Sequence, residues 1–233
     1  MDIVFTNTWD VPDDGLMKPK PTSEFLPEWY KKTQTYLDDK KRVIENFGAA
    51  QSIKKCIPVF DAMSAGYVIT TIADVWVEQR GGEPYYIWKN EKVIEFHPVT
   101  QLKNHPLKPP MPHSVVPKWL NPFMITTPKG WSCVLVPPMH NPNGIFTALP
   151  AIVDTDEHHA PINFPFTLND PNFEGLIPAG TPILQVIPFK REKWKMRIGK
   201  EEDKAKANKY YMLLTRIWFD FYKNNSRTIK EYK

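Results

Sequence analysis

The sequence predicts a mainly β protein, and three observations carry that prediction. Prolines number 24 against 10 glycines, a load that rules out long regular helices and favours short strands, turns and extended segments. Short runs of β-branched and aromatic residues recur from Tyr67 onward, each closed by a turn signal. Only one long stretch has helical periodicity, and it lies near the C-terminus. With 42% hydrophobic and 13% aromatic residues, the 233-residue chain can fill a substantial core.

Taken in order, residues 1–51 form an extended, proline-punctuated arm with a short helix expected around Asp38–Phe47. Phe25, Leu26, Trp29 and Tyr30 are its docking groups. Residues 52–190 form the β domain. Val68, Thr70 and Ile72 alternate with Ile69, Thr71 and Ala73, and Asp74–Glu78 continues in β-rich residues. Gly81-Gly82 is a hairpin turn that returns through Tyr85–Trp88, and Val93–Phe96 follows. Residues 97–118 read as a loop rich in His and Pro. Further strands are expected at Phe123–Thr127, Trp131–Val136, Ile152–Asp154, Ile162–Leu168 and Pro182–Phe189, with turns such as Pro128-Lys129-Gly130 and Pro178-Ala179-Gly180 between them.

Residues 191–233 are a basic C-terminal segment, with an amphipathic helix expected over Glu201–Lys223. Tyr210, Leu214, Ile217 and Phe221 step along one face, and Glu201-Glu202-Asp203 suit its N-terminal end. Residues 190–233 hold 14 Lys+Arg and 6 Asp+Glu, a charge of +8, while the remainder holds 16 and 20, a charge of −4. The excess is a solvated helix face, with nucleic acid or an acidic partner as the alternative reading.

No run of 18 apolar residues is present, so no membrane span is expected. The opening MDIVFTNTWDVPDD lacks the basic and apolar regions of a secretory signal. Cys56 and Cys133 form no CxxC pair and are expected to be buried thiols in a reducing, cytoplasmic setting.

The stretch Asp154-Thr155-Asp156-Glu157-His158-His159 concentrates the titratable chemistry. A carboxylate at a strand end can orient a water for attack. It can equally bond the backbone amides of a turn, which needs no ligand. His158 and His159 are adjacent and would face opposite ways on a strand, and no HxH, HxxxH or HxD spacing assigns a metal.

Four segments, in order, resemble motifs of the trimeric dUTPase and dCTP deaminase superfamily. They are Ser64-Ala65-Gly66-Tyr67, the strand–turn–strand Thr126–Pro138, the apolar run Ala151–Asp156 and the turn-and-strand Leu176–Phe189. The chain is also similar to an uncharacterised family found in tailed phages and bacteria. The first resemblance implies a β-clip, dUTPase-like barrel, a homotrimer with sites between subunits, and a nucleotide ligand. Asp154 would be the general base, and Ser64, Tyr67, Asp156, His158 and Gln185 would line the site. Departures accompany the matches: Val68 stands where the family has an aspartate, and Pro137-Pro138-Met139 stands where Pro-Arg-Ser binds phosphate. Glu157 replaces a tyrosine, and the lysine-rich helix takes the place of the glycine-rich C-terminal arm. These losses imply a degenerate nucleotide site and an assembly or nucleotide-binding role in the host cytoplasm or virion. The alternative is a divergent hydrolase, and Mg2+ enters only with it.

Overall fold

The computed structural model describes residues 1–10, 17–36, 43–44, 48–49, 51–89, 92–109, 113–214 and 221–233. It divides into two units. The first holds Met1–Lys31, Ala62–Arg191 and Tyr232, and the second holds Lys32–Asp61, Glu192–Glu231 and Lys233.

The regular structure of the first unit is mainly antiparallel sheet. Its strands are β1 (Val4–Asn7), β2 (Lys20–Pro21), β5 (Tyr67–Thr70), β6 (Val75–Arg80), β7 (Glu83–Trp88) and β8 (Ile94–Pro98). Then come β9 (Val115–Trp119), β10 (Phe123–Thr126), β11 (Trp131–Val136), β12 (Phe146–Ala148), β13 (Ala151–Val153), β14 (Phe164–Leu168), β15 (Gly175–Ile177) and β16 (Pro182–Lys190). They pair as β13-β11-β16-β5-β2, β12-β14-β9-β8, β15-β6-β7 and β1-β10. The mainly β expectation holds, but among the described residues no sheet closes into a barrel. Proline offers no N–H to a ladder, and Pro21, Pro84, Pro98, Pro117, Pro165, Pro182 and Pro188 all sit within strands.

The Gly81-Gly82 hairpin forms as expected. Both glycines have positive φ, +62° and +81°, which is the two-residue turn that matches strand twist. It sets the β6–β7 register from Arg80↔Glu83 to Val75↔Trp88. The 97–118 loop is shorter than expected, because β8 runs to Pro98 and β9 begins at Val115, paired with each other. The N-terminal arm is tied down: β1 pairs with β10, and Thr22 donates from its hydroxyl to Ala65 O at 2.9 Å. Among its docking residues, Tyr30 is buried, while Trp29 is exposed and donates its indole N–H to His140 O at 2.9 Å.

The core sits between these sheets. Ile69, Val75, Val77, Ile94, Ile125, Leu135, Leu184 and Val186 fill it, all at alternate or near-alternate strand positions. An aromatic group centres on Phe166, which stacks on Trp119 (4.7 Å between centroids) and meets Phe146 and Tyr86 at an angle. Tyr86 is 5% exposed, and its hydroxyl finds no hydrogen-bond partner among the described residues. Burial pushes that hydroxyl well above the usual phenol range. Tyr86→Phe is therefore expected to stabilise the fold by about 1 kcal/mol, because an orphaned buried hydroxyl is removed. Thermal melts should show a rise of about 2–4 °C. A fall would show that the hydroxyl has a partner.

The second unit contains β3 (Val43–Ile44) paired with β4 (Gly48–Ala49), where a short helix was expected. The rest of the Asp38–Phe47 expectation lies outside the described residues. The 3-10 turn Ile53–Lys55 is capped by Ser52, whose hydroxyl accepts from Lys54 N. Cys56 follows it and is exposed, contrary to the expected burial, while Cys133 on β11 is fully buried. Cys56 stands at the start of a helix, where its backbone carbonyl accepts from Val59 N and Phe60 N.

The described residues before β5 also include two short α-helices. They are α1 (Glu28–Lys32) and α2 (Ile57–Ser64). The C-terminal helix α3 runs Glu201–Met212, and none of its residues is buried. The expected continuation through Ile217 and Trp218 lies outside the described residues, but Phe221 meets Tyr210 edge-on at 5.4 Å. Asp61 holds partly buried Arg227 (2.6 Å) and half-exposed Lys230 (3.1 Å) in an ion triad. No described helix is long and apolar enough to cross a membrane.

Candidate functional site

β13 ends at Val153, and the chain turns through Asp154–His158. Both Glu157 N (3.0 Å) and His158 N (2.9 Å) donate to Asp154 O, which closes the turn. The fully buried residue of this corner is Thr155. Its hydroxyl lies 2.7 Å from that of Thr127 and donates to Cys133 Sγ at 3.4 Å. A small hydroxyl residue thus pins the corner onto β11.

The two carboxylates on either side of Thr155 have different fates. The Asp156 side chain is 2% exposed. It accepts from Gly130 N at 2.7 Å and from both terminal nitrogens of Arg191. A fork of this kind matches guanidinium to carboxylate geometry. The Arg191 hydrogen bonds, opposed by burial and aided by the Gly130 N–H, hold the Asp156 carboxyl at about 2, below its ordinary 3.8. Asp154 is 63% exposed and lies 3.2 Å from Arg191 Nη1. Its Oδ1 accepts from Ser132 Oγ at 2.6 Å. Arg191 Nη1 also donates to that hydroxyl, at 2.9 Å, and to Trp131 O, at 3.0 Å.

Strand pairing positions the arginine. β16 runs antiparallel to β11 with Trp131 opposite Lys190. Arg191 extends the ladder by one bond, donating its backbone N–H to Gly130 O at 2.8 Å. Its side chain therefore meets the corner that Gly130 also contacts.

Gln185 is fully buried on β16. Its amide donates to Ala62 O (2.8 Å) and Ala65 O (2.6 Å), and its carbonyl accepts from Met139 N (3.0 Å). Ser64 ends α2 between those two carbonyls. Tyr67 pairs with Val186, and its ring meets Phe5 (5.5 Å) and Tyr232 (5.9 Å) edge-on. Burial raises its phenol pKa. Within one chain the predicted residues fall into two groups. Asp154 and Asp156 join Ser132 and Arg191 at one end of β16. Gln185, Ser64 and Tyr67 lie at a stretch of β16 about 13 Å away, four residues at strand rise from the Ser132↔Phe189 pair. His158 and His159 are exposed beside the first group. Among the described residues, no group of three or more His, Cys, Asp and Glu is placed to hold a metal.

Chemically, the first group is a salt-bridged turn with one outward carboxylate. Arg191 offsets the charge of Asp156 and touches Asp154, and of the two aspartates Asp154 is the one that faces water. Ser132, Thr155 and Arg191 were not singled out from the sequence. The available signal was the pairing of the Trp131 and Pro182 runs, which brings Arg191 opposite Gly130.

Fold and site together define a mainly β protein of open antiparallel sheets with an ion-paired aspartate corner. No family model matches the chain, and no curated protein does. Among solved structures, it is similar to a mutant dUTPase of Staphylococcus bacteriophage 80alpha solved with dUpNHpp. That likeness has 14% identity and a TM-score of 0.31, and it covers 59% of this chain and 76% of the other.

Proposed function

We propose that this chain is a homotrimeric assembly or nucleotide-binding protein on a degenerate dUTPase-like scaffold, and that its Asp154 corner is a structural joint. The observation that carries this reading is the Arg191 fork on buried Asp156, with Ser132 and Arg191 both on Asp154. Phosphoryl chemistry needs positive charge free to meet the transferring group, and here the guanidinium at the corner is engaged by carboxylates. The motif order in the sequence supports the scaffold. At the position of the lost Pro-Arg-Ser motif, the Met139 N–H is committed to Gln185.

The test is a binding and turnover panel of deoxynucleoside triphosphates, with magnesium, zinc and no metal, run beside Asp154→Asn. The expected outcome is no turnover by either protein. Binding without turnover would identify a nucleotide-binding protein, and neither would leave assembly. Turnover lost in Asp154→Asn would overturn the proposal in favour of a hydrolase with Asp154 as general base. One observation favours that second reading: Asp154 is the exposed member of the pair.

A further inference from the structure

Residues 191–200, between β16 and α3, form neither helix nor strand. Within them Trp194, Met196 and Ile198 alternate with Lys193, Lys195 and Arg197. The three apolar residues are 87%, 86% and 81% exposed. In an extended chain, residues two apart share a face. One face of this arm is therefore bare hydrocarbon and indole, and the other is basic. A solvated linker has no need of such a pattern, and large exposed apolar patches mark contact surfaces.

The first unit carries a surface of matching character. Leu176 on β15 is opposite Trp76 on β6, and Trp76 is opposite Ile87 on β7. They are 41%, 49% and 37% exposed, with Tyr85 nearby at 48%. These residues make one cross-strand row on the outer face of the three-stranded sheet. The three strands and their bordering residues carry Asp74, Glu78, Glu83 and Glu174 against Arg80 and Lys89. The row spans two strand spacings, about 10 Å, and the step from Trp194 to Ile198 spans about 13 Å. Length, apolar character and charge sign all agree.

We infer that the arm of one copy docks on the β15-β6-β7 face of a second copy. Trp194, Met196 and Ile198 cover the Leu176–Trp76–Ile87 row, and Lys193 and Lys195 meet its acidic surround. This rests on the homo-oligomer reading above and gives it an interface. Arm and face are different surfaces, so each copy gives one and receives one. A head-to-tail contact closes as a ring when its rotation divides a full turn, and a trimer is such a ring with a rotation of about 120°.

The test is solution mass by light scattering on the full chain. The variants are Trp194→Glu/Met196→Glu in the arm and Trp76→Glu on the face. All three substitutions fall on exposed side chains, and circular dichroism checks that the fold is kept. Wild type is expected as a trimer, and each variant alone as a single chain. An equal mixture of the two variants has one intact arm and one intact face, so it should reach a dimer and stop. A single-chain mass for wild type would overturn both the oligomer reading and this inference. An oligomeric wild type whose variants keep the same mass would overturn this inference alone.

Discussion

Gly66→Ala is expected to destabilise the protein by about 3 kcal/mol or more, through left-handed backbone strain and overpacking together. Gly66 joins α2 to β5 with φ +68°. A Cβ there would lie 2.0 Å from Val186 O and 2.9 Å from Val186 C, which are backbone atoms of β16. Val186 pairs with Tyr67, the next residue along, so neither side of the joint can retreat without opening the β5–β16 ladder. Gly66 O also accepts from Thr22 N at 3.0 Å, so the N-terminal arm would loosen with it. Gly130→Ala is the control: its φ is +85°, but nothing lies within 4 Å of the added methyl. Strain alone is expected there, at about 1 kcal/mol. Urea midpoints of the two variants separate the effects, and equal midpoints would refute the close approach at Gly66.

Arg191→Ala is expected to produce a large loss of stability near neutral pH that shrinks in acid. Removing the guanidinium leaves the Asp156 carboxylate, only 2% exposed, with backbone N–H partners such as Gly130 N but no charged one, and a carboxylate shielded from water without a counter-charge is costly. The folded carboxyl stands at about 2, below its ordinary 3.8. A depressed carboxyl contributes stability that is present above its unfolded pKa and is lost as pH falls through the folded value. Wild type should therefore lose this contribution between about pH 4 and pH 2. In the variant the carboxyl can protonate at higher pH, so the two proteins should converge toward the bottom of that window. Denaturation midpoints across the range check this. A difference that stays constant through it would mean that Arg191 acts through packing and not through Asp156.

Local signals made most of the β domain legible in the sequence. The Gly81-Gly82 turn, the Pro128-Lys129-Gly130 turn and the alternation after Tyr67 each set a strand from within a few residues. What was hidden depends on distant partners. β1 is four residues long and becomes a strand by pairing with Phe123–Thr126. Arg191 stands in a basic run that reads as solvated, and only the β11–β16 register turns it toward Asp156. Thr155, between two aspartates, carries no local signal of burial, yet it is the buried residue of the corner. The expected helix around Asp38–Phe47 had polar composition and little periodicity behind it, and its Val43–Ile44 portion is strand.

The central seat of β16 has a consequence for how the protein is made. Its neighbours, β11 and β5, are synthesised long before it, and neither can pair with it until residues 182–190 have left the ribosome. Until then β5 and β11 are open edges bearing buried-core residues such as Val68, Ile69, Cys133 and Leu135. Non-local pairing of this kind slows folding and prolongs the exposure of sticky edges. The nascent chain should therefore lean on holding factors until residues 182–190 have emerged, and yield should respond to translation speed and growth temperature more than to changes on the finished surface.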